Sequence, residues 1–460
     1  MKANGIVQKT SLTPYKSGSF LELWTVSWPL MLASFSGNLM VFLDRLIVSH
    51  YSSEAFVACT AAQPWYWTIE CTLMSVIIIT EVFIGRYNGA GDYKKIGPLI
   101  WQMLVCAFAC EIILIPVILS VHYLLADNIE ALAKPYLQIL LVGCPFELAG
   151  FGVIGSFFVG RGETKCMPVI SLISNMINIL LDVWFVFGGC GIPSMGIYGA
   201  ALATVIAQGV GFCIFLCLFL RPRYHSRFLT NQFQWSWSTL GRIIRIGGAN
   251  AMASFCQMFG WAIAYQFLAL NSSTACFMAY SAASTFYLLV FFVVDGLGKG
   301  VGVICSNFIG AGQLHLFGKL FRQVISMCGY FMGAALLLIL LGADKLVQFI
   351  VDQKYYAEVD FRHSFHLFLT WEWVLFGCDI IVYSIQNFLI ALTKTKVVLF
   401  FQVVVAWSLV LLPTYFLIKK CQFHPVVYLQ LKSVEAFLCM IVFSLWYRRR
   451  SWARGLKASL

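Results

Sequence analysis

Residues able to do chemistry are sparse in this chain and stand out because their neighbours are apolar. The clearest group lies in SNMINILLD, 174–182, where Asn175, Asn178 and Asp182 follow one another at spacings of three and four. On a helix those spacings place all three side chains on one face. A carboxylate at mid-span in hydrocarbon costs roughly 2.5–3.5 kcal/mol on insertion scales, so Asp182 must turn inward to partners, water or an ion. Carboxylate and amide oxygens together suit the reversible binding of a proton or a hard cation such as sodium. The two amides alone would serve equally as hydrogen-bond glue between helices.

Other charges fall inside apolar runs: Asp44 followed by Arg45, then Glu70, Glu81, Glu147, Asp379, and Lys432 with Glu435. Glu147 follows Pro145, where a kinked helix exposes backbone carbonyls. Asp295 and Lys299 are one helical turn apart, so they either neutralise each other or present Lys299 to an anionic group on a ligand. With Gln257 they are the candidates for lining a substrate cleft. No catalytic set accompanies these groups: there is no paired-aspartate motif among them and no histidine beside them. The sixteen cysteines are scattered without CxxC spacing, so neither a metal centre nor a disulfide framework is expected. The chain therefore reads as a non-enzyme without cofactor.

The elements that must hold these residues are membrane spans. Of 460 residues, 60% are hydrophobic and only 11% charged, far below the roughly 25% charge of soluble domains. Apolar runs give twelve helices, at about 23–48, 57–84, 97–123, 135–158, 168–188, 198–219, 246–270, 276–306, 323–343, 364–390, 397–418 and 426–447. The net charge of +11 sits in alternate loops, which points to topology and not to nucleic acid. The expectation is a multi-pass protein of the bacterial inner (plasma) membrane with both termini cytoplasmic.

The spans form two like sets. Gly89-Ala90-Gly91 recurs as Gly310-Ala311-Gly312, 221 residues later, and Thr164-Lys165 as Thr395-Lys396, 231 later. Ser52-Ser53 matches Ser272-Ser273 at nearly the first of these offsets. Six spans per half give both halves the same orientation, with a binding cavity between them near the midplane. The expected division is 1–219, an amino-terminal lobe; 220–245, a cytoplasmic connection; and 246–460, a carboxy-terminal lobe with a basic tail.

In NLMVFLDRLIVSH around Asp44, GAGDYKK at 89–95, GRGETK at 160–165, SNMINILLD, GIYGAALATVIAQ at 196–208, GAGQ at 310–313 and WSLVLLP at 407–413, the chain resembles the MATE family, the multidrug and toxic compound extrusion transporters. The likeness spans nearly the whole chain. It implies two six-helix lobes, a cleft alternating between the membrane faces, and export of amphipathic organic compounds driven by inward flow of sodium ions or protons. Position by position, Asp44 matches the acidic residue of the family's first helix. Asn178 and Asp182 match the fifth-helix residues that complete an amino-lobe cation site in one branch, and Thr204 matches more loosely a sixth-helix partner. Asp379, sixteen residues before Thr395, matches a tenth-helix carboxylate of another branch. The expected coupling centre is thus Asp44, Asn178 and Asp182 with Thr204 and Asn175, and Asp379 as a weaker carboxy-lobe site.

The chain departs from the pattern in three places. Gly247 to Gln257 holds no seventh-helix acid, Arg45 follows Asp44, and the charges at 295, 299, 432 and 435 are additional. These bear on the substrate more than on the fold. A flippase for lipid-linked precursors, or another small-solute transporter of the wider superfamily, is the alternative reading. The expected partners are a small organic substrate and the lipid bilayer, with the protein a monomer.

Overall fold

A computed structural model of the protein describes residues 12–124, 130–189, 191–350 and 358–449. Among them are twelve helices long and apolar enough to cross a membrane: α1 Phe20–Tyr51, α2 Glu54–Ala90, α3 Tyr93–Ser120, α4 Ala131–Val159, α5 Cys166–Phe187 and α6 Ile197–Phe219, then α7 Trp237–Asn271, α8 Thr274–Gly310, α9 Leu314–Ala343, α10 Val359–Ala391, α11 Thr395–Lys419 and α12 Val427–Arg448. The described residues contain no strand, so the all-α, twelve-span architecture read from the sequence is the one that forms. Outward-facing apolar side chains such as Ile112, Leu180, Leu270 and Leu340 are 70–74% exposed, as expected where the surroundings are lipid.

The seventh helix starts earlier than its apolar run. Ser236 caps it, its Oγ accepting from Thr239 N at 3.3 Å, and Leu240 and Ile243 turn inward while the polar residues between them stay on the outer face. The last nine residues of the segment expected as a connection, 237–245, are therefore helical. What remains carries a short helix, Pro222–Phe228, that docks on α3: Trp101 Nε1 donates to Thr230 O at 2.7 Å and Gln102 Nε2 to Ser236 O at 3.0 Å. The GRGETK motif anchors it from the other side. The Arg161 guanidinium lies 3.7 Å from the Phe157 ring centre and 4.5 Å from that of Phe228, and pairs with Glu163 at 2.9 Å.

The repeat is visible in the backbone. Ser52 and Ser273 cap α2 and α8 with their hydroxyls. They are 221 apart, which corrects the serine pairing by one residue and gives it the offset of the Gly-Ala-Gly motifs. Left-handed residues recur likewise: Gly91 with Gly312, Gly162 with Thr393, and Gly191 with Gln422.

Within the first set, α1 packs on α5, α5 on α6, α6 on α4 and α4 on α2; within the second, α8 packs on α10, and α10 on α9 and α12. In α4 the predicted kink appears as a π-helical stretch, Leu148–Ile154, three residues after Pro145. A proline cannot donate to the preceding turn, and the wider turn absorbs the mismatch. The two sets meet through α1 with α8 and α2 with α7 and α8. A Cβ at Gly296 or Gly300 would overlap the Met31 or Ser27 of α1, so the backbones touch there. Among the described residues, every side-chain hydrogen bond between the sets lies at mid-depth or toward the face that carries the basic loops. The hydrogen bonds that join the sets thus gather toward the basic face.

Candidate functional site

Helices α1 and α5 both run away from the basic face, so equal steps along each keep two residues level. Asn175 Nδ2 donates to both the carbonyl and the hydroxyl of Ser36, each at 2.6 Å. Seven residues further along α5 stands Asp182, and eight further along α1 stands Asp44, two turns in each case. The clip at Ser36 thereby sets the register that brings the two carboxyls together, and Asp44 lies against both Asp182 and Thr204 of α6. Asn178 and Asp182 are fully buried and Asn175 is 7% exposed. Asn178 Nδ2 reaches the Thr204 hydroxyl at 3.4 Å, and that hydroxyl is itself 3.1 Å from Ala200 O.

The oxygens of this cluster outnumber its donors. Asp44 Oδ1, both carboxylate oxygens of Asp182 and Asn178 Oδ1 are buried and have no hydrogen-bond partner. Native interiors rarely leave such groups unpaired, and two facing carboxylates repel unless a positive species lies between them. The wall beside them is polar: Cys59 Sγ is 3.2 Å from Tyr136 OH, which donates to Gln63 Oε1 at 3.2 Å. Arg45 turns its guanidinium toward the Trp67 ring, 5.8 Å from its centre, and forms no ion pair among the described residues. The set suits binding and release of one small cation.

The remaining sequence candidates fall elsewhere. Asp295 and Lys299 form an ion pair at 2.7 Å on α8, with side chains 23% and 38% exposed. Lys299 interacts electrostatically with Glu70 and Glu81 of α2, so the pair sits where the two sets meet. Gln257 of α7 donates to Tyr383 OH at 3.2 Å and accepts from Gln402 Nε2 at 3.0 Å, in an amide chain that also reaches Gln386. Asp379 of α10 accepts a hydrogen bond from Tyr287. Glu372, two turns earlier, accepts from Ser284 Oγ at 3.1 Å. Thus Asp44, Asn178, Asp182 and Thr204 come together with Asn175 behind them, while Asp379 and Gln257 lie in the second set. Among the described residues no cluster of His, Cys, Asp and Glu could hold a metal of the zinc type.

Ser36, Tyr136, Cys59 and Gln63 were not legible as site residues, since none lies on the helix of the stripe and none carries a charge that hydrocarbon would make conspicuous. Asn175→Ala removes both bonds to Ser36, and a loss of about 1–3 kcal/mol of stability is expected from the buried acceptors it orphans. Thermal denaturation in detergent checks this; an unchanged melting temperature would show that the clip does not set the register.

A MatE family model matches residues 29–184, the stretch that contains Asp44, Asn175, Asn178 and Asp182. A probable multidrug resistance protein NorM from Thermotoga maritima is 24% identical over 349 residues, 74% of each chain. In structure, an outward-facing multidrug resistance MATE family transporter of the MOP superfamily superposes with a TM-score of 0.83 at 17% identity, covering 97% of this chain and 99% of that one. A MOP superfamily transporter from Pyrococcus furiosus, described as having a binding pocket of reverse polarity that suggests a different function, superposes at 0.80 with 16% identity, covering 97% and 99%. The family model thus lies on the helices of the oxygen cluster, a relative aligns over about three quarters of its length, and the twelve-helix fold superposes nearly end to end: the chain has the fold of the MATE transporters.

Proposed function

We propose that the protein is a cation-coupled antiporter that exports amphipathic organic compounds by alternating access, exchanging them for sodium ions or protons. The observation that carries this reading is the buried cluster of Asp44, Asp182 and Asn178 oxygens with no donor of their own. A proton shared between the carboxyls, or a sodium ion held by carboxylate, amide and Thr204 oxygens, would neutralise it. Arrival and departure of that charge change the repulsion between α1 and α5. Helix α1 carries Asp44 and also Ser27 and Met31, which meet Gly300 and Gly296 of α8, so a shift of α1 at the cluster reaches the contact between the lobes. In this scheme residues 1–219 and 246–460 are the two moving lobes, and the basic face is cytoplasmic by the positive-inside asymmetry.

The relative's multidrug resistance name supports organic compounds as cargo. The test is substrate-dependent ion movement in liposomes holding the purified protein, with sodium and pH gradients imposed separately. Counterflow of an amphipathic cation should accelerate with one of the two gradients by about tenfold or more. Substrate movement indifferent to both gradients would overturn the reading.

A further inference from the structure

The basic face is closed by two hydrogen bonds that are copies of each other. Arg86, near the end of α2, donates from its guanidinium to Ala391 O, the last residue of α10, at 2.6 Å. Asn307, near the end of α8, donates from Nδ2 to Gly160 O, just beyond α4, at 2.9 Å. Arg86 and Asn307 are 221 residues apart, and Gly160 and Ala391 are 231 apart, the two offsets of the internal repeat. Each lobe thus sends a side chain from its second helix to the end of the other lobe's fourth helix. Both acceptors are carbonyls at helix ends, where no backbone N–H continues the ladder to meet them. Asn88, two residues after Arg86, adds a further bond across the lobes by donating from Nδ2 to Asn307 Oδ1 at 2.7 Å. Two glycines permit the approach: a Cβ at Gly89 would overlap the Asn307 backbone, and one at Gly310 the Arg86 backbone.

We infer that Arg86–Ala391 and Asn307–Gly160 form a crossed gate, which locks the cleft at the basic face and must come apart when the cleft opens there. This rests on the alternating-access reading above. The two halves of the gate differ in strength. The Arg86 bond is charge-assisted and places a cation at a helix C-terminus, where the backbone dipoles favour it, whereas the Asn307 bond is neutral. Opening at the basic face is therefore limited mainly by Arg86. The other polar contacts between the lobes at this face are the neutral Asn88–Asn307 bond and the bond from Lys319 Nζ to Ser17 O at 3.1 Å, which lies on α9 away from the crossed pair.

The test is amide hydrogen exchange on the full chain in lipid nanodiscs, comparing wild type with Arg86→Gln, Arg86→Lys and Gly310→Ala. Arg86→Gln should speed exchange in segments 79–90 and 302–312 by about ten- to a hundredfold, the range for losing a charge-assisted bond. In the same sample, exchange at the opposite ends, 33–51 and 274–292, should slow as the cleft closes there. Gly310→Ala, which wedges the helices of the gate apart without removing a donor, should give the same paired change. Arg86→Lys keeps a cationic donor and should restore most of the protection. Faster exchange at both faces, or at the basic face alone, would overturn the gate by making these bonds ordinary packing. So would Arg86→Lys behaving as Arg86→Gln. Ion-driven transport by the wild type in liposomes judges the antiport reading separately: transport intact with variants exchanging as wild type removes the gate and leaves the function.

Discussion

Asp182→Asn is expected to abolish ion-driven transport while the protein remains folded. Asp182 is fully buried, and neither of its oxygens meets a donor. Asparagine keeps the shape, removes the repulsion with Asp44, and adds an N–H that can donate to the Asp44 carboxyl beside it. The variant thus carries inside the cluster the donor that the wild type must take from solution. Its melting temperature should equal or exceed that of the wild type. Removing one charged partner from a buried ionic contact is worth about 3 kcal/mol, which corresponds to an ion affinity roughly a hundredfold weaker. Liposome flux across a series of ion concentrations measures that shift directly. Transport at the wild-type rate with unchanged ion dependence would remove Asp182 from the coupling centre, and a collapse in thermal stability would make its role structural.

The part of this site that the sequence exposed is the part that hydrocarbon makes expensive. Asn175, Asn178 and Asp182 were legible because they interrupt an apolar helix at its own period, and a lipid-facing stripe of that kind is not tolerated. Asp44 has no such periodic partner in NLMVFLDRLIVSH, and only the family resemblance brought it forward. What joins them was not legible. Ser36 fixes the register of α1 against α5, yet nothing distinguishes it from the many small polar residues of the chain until Asn175 is seen on it. The fold follows the same division. Helix number, order and the repeat were readable from apolar runs and offset motifs, since both are local properties. The start of α7 was not, because residues 237–245 are polar on one face and a hydropathy run does not register an amphipathic extension. Gly-Ala-Gly was visible twice in the sequence, but its reciprocal contact with Arg86 and Asn307 depends on how two lobes cross, which no spacing within either lobe encodes.

Comparing Asp44→Asn with Asp379→Asn in one flux assay should separate the two lobes. The carboxylates differ in how the protein already answers them. Asp44 keeps a buried oxygen without a partner and faces a second acid, Asp182. Asp379 accepts a hydrogen bond from Tyr287, and its neighbour Glu372 accepts one from Ser284. Lys432 of α12 interacts electrostatically with both of these acids, so a charge fixed in the chain already opposes them. The helix that could have supplied another acid, α7, offers instead Gln257, whose amide is engaged with Tyr383 and Gln402. A mobile cation therefore has less to gain in the second lobe than in the first. Asp44→Asn is expected to eliminate ion-driven substrate movement. Asparagine still offers an oxygen to Tyr287, so Asp379→Asn is expected to slow it by no more than about tenfold, the effect of about one ordinary hydrogen bond, and to leave the half-saturating ion concentration where it was. An Asp379→Asn protein that no longer transports, beside an Asp44→Asn protein that still couples, would move the coupling centre into the second lobe and reduce the Asp44–Asp182 pair to a structural contact between α1 and α5.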